Sequence, residues 1–133
     1  MTRPDPAALA RYELFAGMDA PSLQIVAGWL EVEEVPAGHR LTHEGARGYA
    51  FYLLSEGGAD VVIAGSVVRT LGPGDFFGEI AMLGDGRQTA TVVTTGPSVV
   101  LTMFGTRFRE LQLAHPDVAA AIEATAKARL AGS

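Results

Sequence analysis

The 133-residue chain predicts a mainly β domain with flanking helices, an antiparallel sandwich or barrel preceded by N-terminal helices and followed by a hinged helix pair. Three observations carry this. From Glu31 to Phe104 the apolar pattern has period two and is cut at short intervals by turns containing Gly or Pro. Outside that region apolar residues recur at three- and four-residue steps, as on the face of a helix. The length suits a single core, and no internal repeat or low-complexity linker divides it. The expected organisation is one domain over 1–133: helices in 1–30, the β body in 31–104 and helices in 105–131.

Taken in order, Asp5 after Pro4 can cap a short helix through Ala7, Leu9 and Tyr12, ending around Phe15-Ala16-Gly17. Asp19-Ala20-Pro21-Ser22 opens a second helix. It would bury Leu23, Val26, Ala27 and Leu30, with Ile25 and Trp29 on an adjoining stripe. Val32 and Val35 then flank Glu33-Glu34 in a first strand, Pro36-Ala37-Gly38 turns, and His39 to His43 reads as a short strand ending at Glu44-Gly45. Tyr49 to Ser55 and Ala59 to Ala64 are strands separated by Glu56-Gly57-Gly58. Gly65-Ser66 signals a hairpin into Val67 to Leu71. Ala90 to Thr94 and Val99 to Phe104 supply further strands around Gly96-Pro97. Thr106 caps a helix through Phe108, Leu111 and Leu113, stopped near His115-Pro116, and Asp117 restarts a last one from Val118 to Leu130.

Composition removes several functions. A net charge of −5 and a pI near 5.1 argue against a nucleic-acid surface, which needs clustered Lys and Arg. No cysteine means no disulfide, thiolate nucleophile or zinc finger, which suits a reducing cytoplasm. No apolar run reaches the roughly 18 to 20 residues of a spanning helix, and the first residues hold no signal-peptide core. His39, His43 and Glu44 invite a metal reading. Strand residues four apart sit about 13 Å from each other, too far to share one ion. With no Ser-His-Asp set or paired carboxylates to which a reaction can be assigned, the chain reads as no enzyme.

The stretch from Gly72 to Val92 carries the chemistry. Gly72-Pro73-Gly74 forms a tight turn and Phe76 and Phe77 are apolar anchors. Gly78 permits a close backbone approach where Glu79-Ile80-Ala81-Met82-Leu83 can begin a short helix. The unpaired N–H groups of such a start attract an anion. Beyond Gly84-Asp85-Gly86, the residues Arg87, Gln88 and Thr89 lead into the extended run from Ala90 and face back toward the same cradle.

The ordered run Phe77-Gly78-Glu79-Ile80-Ala81-Met82-Leu83, with its Gly-Pro-Gly-Asp lead-in and its Thr89-Ala90-Thr91-Val92 exit, resembles the phosphate-binding cassette of cyclic nucleotide-binding domains. The resemblance extends from about Leu14 to Ile122, with the cassette over 76–92. It implies a jelly-roll barrel and a ligand, cyclic AMP first and cyclic GMP second, with no cofactor. It also implies roles: Gly78, Ile80 and Ala81 offering backbone N–H groups to the phosphate, Glu79 holding a ribose hydroxyl, and Thr89 and Ala90 closing the cradle. The C-terminal helix pair would move on binding, its last helix acting as a lid, with Val118, Ile122, Thr125, Ala126 and Arg129 facing the barrel or a partner.

Two adjacent positions depart from the pattern. In a gap-free alignment Arg87 falls on the family's proline, and Gln88 on the arginine that neutralises the phosphate. A guanidinium makes a bidentate charged bond there, whereas a Gln amide offers neutral donors only, a difference of roughly one to two orders of magnitude in affinity. Arg87 could compensate by a one-residue slip. The first expectation is therefore a cytoplasmic cyclic nucleotide sensor acting on an effector in another chain or segment, with homodimerisation open. The alternative is a degenerate domain of the same fold serving as a ligand-independent interaction or dimerisation scaffold.

Overall fold

The computed structural model describes residues 3–42, 50–77 and 90–131. Helix α1 (Pro6–Leu9) starts where the Asp5 carboxylate accepts the Ala7 N–H at 3.2 Å, with Pro at its first position. The expected continuation to Phe15 is instead broken into α1 and a single 3₁₀ turn, Glu13–Phe15. A continuous helix would turn Leu14 away from the face carrying Leu9 and Tyr12. The break lets all four of Leu9, Tyr12, Leu14 and Phe15 reach the core. Helix α2 (Ala20–Trp29) is capped by Asp19, which accepts the Ser22 N–H at 2.9 Å, and those bonds from Ser22 hold its carboxyl below the ordinary value. Its buried residues are Leu23, Val26 and Ala27, as the spacing predicts.

Eight strands follow: β1 (Glu31–Val35), β2 (Arg40–Thr42), β3 (Ala50–Glu56), β4 (Ala59–Ile63), β5 (Ser66–Leu71), β6 (Phe76–Phe77), β7 (Thr91–Thr94) and β8 (Ser98–Phe104). They form two antiparallel four-stranded sheets, ordered β1-β8-β3-β6 and β2-β7-β4-β5. The jelly-roll reading is realised as these two facing sheets. His39 precedes β2, and His43 and Glu44 lie outside the described residues.

Alternation along the first sheet sends side chains into two cores. Phe51, Leu53, Leu101 and Met103 pack against the helices, while Leu54 and Val100 meet Ala59, Leu71 and Val92 of the second sheet. The hairpin between β4 and β5 sits one residue earlier than expected. Ile63 pairs with Ser66, so Ala64 (φ 51) and Gly65 (φ 82) are the two central residues, the positive pair a tight hairpin requires. At Gly57 (φ 94) an added Cβ would collide with Ser98 Oγ and the Pro97 carbonyl, which fixes glycine there.

Strand β8 runs without a loop into helix α3 (Gly105–Ala114), whose N-cap is Phe104 rather than the expected Thr106. No side chain caps it. Helix α3 closes with the His115 N–H donating to the Leu111 carbonyl at 2.7 Å, and α4 (Pro116–Ala131) starts at a residue that has no N–H to continue the previous helix. Asp117 lies in its first turn. Gln112 of α3 donates to Glu123 of α4, Arg107 of α3 lies 4.6 Å over the Trp29 ring of α2, and Val118 and Ile122 of α4 are buried in the helix-side core.

Candidate functional site: the junction of the two sheets

Of the sequence-predicted site residues, Phe77 and Ala90 are described. Gly78, Glu79, Ile80, Ala81, Arg87, Gln88 and Thr89 lie outside the described residues, as does the expected helix from Glu79. What the structure gives is the frame on which that segment is mounted. Its first end leaves the first sheet at β6 and its second enters the other sheet at β7, so 78–89 joins the two sheets.

The sequence presents Phe76 and Phe77 as apolar anchors; they form a two-residue strand paired with Leu53 and Tyr52 of β3. Being consecutive, they point to opposite faces. Phe76 enters the helix-side core, its ring 6.0 Å from Phe51, and Phe77 enters the between-sheet core, stacked on Tyr52 at 5.1 Å and 17°. The strand is held from both sides. The turn before it is closed by the Gly72 N–H donating to the Asp75 carboxylate at 2.9 Å and the Asp75 N–H donating to the Gly72 carbonyl at 3.1 Å. Two further bonds of 2.8 Å tie it to β3, from the Gly74 N–H to the Leu54 carbonyl and from the Leu54 N–H to the Asp75 carbonyl.

The second end is held equally firmly by a residue that sequence reasoning missed. Ala90 is buried, and four residues later Thr94, 2% exposed, donates its hydroxyl to the Pro36 carbonyl at 2.6 Å and accepts the His39 N–H at 2.9 Å. Its backbone also accepts from Gly38 N–H and donates to the His39 carbonyl. A Thr at a predicted strand end gives no signal of this, because its partners lie more than fifty residues away in sequence.

Between the sheets, burial and the Glu33 carboxylate of β1 both push the Tyr52 hydroxyl above its ordinary value, burial being the larger cause. Thr102, paired with Tyr52 and on the same face, buries its hydroxyl with no hydrogen-bond partner among the described residues. No group of three His, Cys, Asp or Glu side chains able to hold a metal occurs among the described residues. Among them, likewise, no helix is long and apolar enough to cross a membrane.

Two facing antiparallel sheets with helices packed on one outer face define a β-roll. The family model for the cyclic nucleotide-binding domain matches residues 32–115, and the chain belongs to that family, which is regulatory rather than catalytic. It is 30% identical over 100 residues to a cAMP-dependent protein kinase regulatory subunit of Yarrowia lipolytica, covering 75% of this chain and 27% of that protein. It is 32% identical over 110 residues to the cGMP-dependent protein kinase egl-4 of Caenorhabditis briggsae, covering 77% of this chain and 15% of that one. The chain thus spans little more than a quarter, or less, of these curated relatives. In fold it is similar to a putative cyclic nucleotide-binding protein from Geobacter metallireducens, with a TM-score of 0.85 at 24% identity over 97% of both chains.

Proposed function

We propose that this domain is a cyclic nucleotide sensor, with cyclic AMP as its first ligand, in which Gly78, Ile80 and Ala81 bind the phosphate through backbone N–H groups and Glu79 holds the ribose. Arg87, Gln88, Thr89 and Ala90 close the site opposite them. The observation that carries this is the mounting of the cassette: Phe77 is buried and paired into the first sheet, and Ala90 is buried directly before β7 of the second, which favours a preorganised mouth between them. The likeness to a cAMP-dependent protein kinase regulatory subunit supports the choice of nucleotide. The domain would act by binding rather than catalysis, in the cytoplasm, and hand its signal to an effector outside this sequence through the α3–α4 pair. Val118 and Ile122, which anchor α4 in the helix-side core, support that route.

Calorimetric titration with cyclic AMP and cyclic GMP tests the reading. Glu79→Ala should cost about 1.5 to 3 kcal/mol of binding while the melting temperature without ligand stays nearly unchanged. Gln88→Arg should tighten cyclic AMP by roughly ten- to a hundredfold if Gln88 occupies the phosphate position. If Arg87 does so instead, Arg87→Ala is the damaging change. Absence of binding at millimolar concentration in wild type and both of those variants would leave a ligand-independent scaffold.

A further inference from the structure

At the edge of the helix-side core the segment after α1, the end of β3 and the turn before β6 enclose an open cleft of about 410 Å³, lined by Arg11, Tyr12, Ser55, Glu56, Pro73 and Gly74. Its polar wall is a directed relay. The Arg11 guanidinium lies 4.9 Å over the Tyr12 ring and donates to the Tyr12 hydroxyl at 2.7 Å, and that hydroxyl donates in turn to Ser55 Oγ at 3.0 Å. Tyr12 is buried among the core residues, so the relay is fixed from below. Ser55 reaches it through a bulge in β3: Leu54 pairs with Val100 and Glu56 with Val99, which leaves Ser55 as the extra residue between them. Each bond in such a chain strengthens the next. The relay ends on a Ser55 O–H for which no acceptor occurs among the described residues, and Arg11 keeps further N–H donors beyond the one given to Tyr12.

The Glu56 carboxylate lines the same cleft. Tyr12 first, and Glu56 as a lesser cause, hold the Arg11 pKa above its ordinary value, so the cation feels the carboxylate. The two are nonetheless apart: among the described residues the single ion pair is Arg107 with Glu110. Donors at one place and a carboxylate at another, with open space between, select a molecule that carries both charges on one short frame. We propose that the cleft binds a free α-amino acid: the ligand carboxylate accepts from Arg11 and from the Ser55 hydroxyl, its ammonium donates to Glu56, and its side chain lies against Pro73. Two charge-assisted bonds of about 2.8 Å and a similar distance within the zwitterion reach roughly 8 Å, which lets one small molecule join side chains that do not pair directly. An inorganic anion is a poorer guest because Glu56 repels it, and a simple amine leaves the Arg11 and Ser55 donors unmet. The site is separate from the cassette: Tyr12 belongs to the helix-side core, whereas Phe77 enters the core between the sheets.

The test is an amide NMR titration of the whole chain, without nucleotide, with L-alanine and, separately, N-acetyl-L-alanine, L-alanine amide and inorganic phosphate. L-Alanine should bind saturably with a Kd of roughly 1 to 10 mM and shift the amides of Tyr12, Ser55, Glu56 and Gly74. The acetylated and amidated forms each lack one charge and should bind at least about fivefold more weakly. Glu56→Gln should weaken L-alanine by about fivefold or more yet leave N-acetyl-L-alanine unchanged or tighter, while Arg11→Gln should weaken both. Thermal melting of the two variants should match wild type, since both side chains are exposed. Equal affinity for L-alanine and its acetylated form, or phosphate binding ahead of both, would make the cleft a plain anion site and overturn the amino-acid assignment. No saturable shift by about 100 mM, shifts elsewhere in the chain, or L-alanine affinity untouched by either variant would overturn the site itself.

Discussion

On the helix side of the first sheet, Phe15, Val26, Leu30, Leu53 and Leu111 are each sealed completely from solvent, and helices from both ends of the chain meet there. On the other side Leu54, Ala59 and Val100 are sealed too, but Leu41, Tyr52 and Val61 around them are only half-buried and the Thr102 hydroxyl has no partner among the described residues. The first core joins sequence-distant helices and strands into one body. Among the described residues the second is smaller, polar at its edge and less completely closed to solvent. A binding domain gains from this division: the closed core can hold the fold while the open one adapts to a ligand without a global cost.

The largest expected effect tests the division directly. Phe51→Ala, which empties the closed core at a residue 1% exposed, should lower stability by about 3 to 5 kcal/mol in urea unfolding. Phe77→Ala in the open core should cost clearly less; equal costs would erase the distinction between the two. Thr94→Val comes next. It leaves the His39 N–H and the Pro36 carbonyl without their side-chain partner and should cost about 1 to 3 kcal/mol by the same measurement. Thr102→Val should have the opposite sign, since it removes a buried hydroxyl that has no hydrogen bond among the described residues, and a gain of about 1 kcal/mol is expected. A loss instead would reveal a partner for that hydroxyl and a better-satisfied open core than the one described.

Those same residues mark how far the sequence could be read. The caps at Asp5 and Asp19, the period-two strands and the Pro116 break were legible because each is decided by local chemistry. The hairpin was placed one residue late, since Ala64 at positive φ is not a residue that composition would choose for a turn. Phe76 and Phe77 looked like anchors because a strand of two residues has no period to detect. Their separation into different cores exists only once β3 lies beside them. Thr94 and Tyr52 were silent for a related reason: strand register decides what they meet, and it is not written locally. The motif from Gly78 to Thr89 was recognisable as a pattern, while the supports at its two ends were not.

The smallest expected effect probes the edge of the open core by pH. Burial, and secondarily Glu33, hold the Tyr52 hydroxyl above its ordinary value of 10.0, so the folded chain keeps this proton at pH values where the unfolded chain has lost it. Between the ordinary value and the raised one the folded state therefore binds more protons, and stability falls as pH rises. Below the ordinary value the group is neutral in both states and contributes no slope. Tyr52→Phe keeps the ring stacked on Phe77 and removes the titration. Urea unfolding of wild type and Tyr52→Phe at about pH 8 and again at about pH 11 should show the variant gaining on wild type only at the higher pH. The difference between the two proteins cancels the single lysine and the two other tyrosines they share. A difference that stays flat across that range would mean Tyr52 is as well solvated as a free tyrosine, and the open core would then be wetter than its half-buried ring implies.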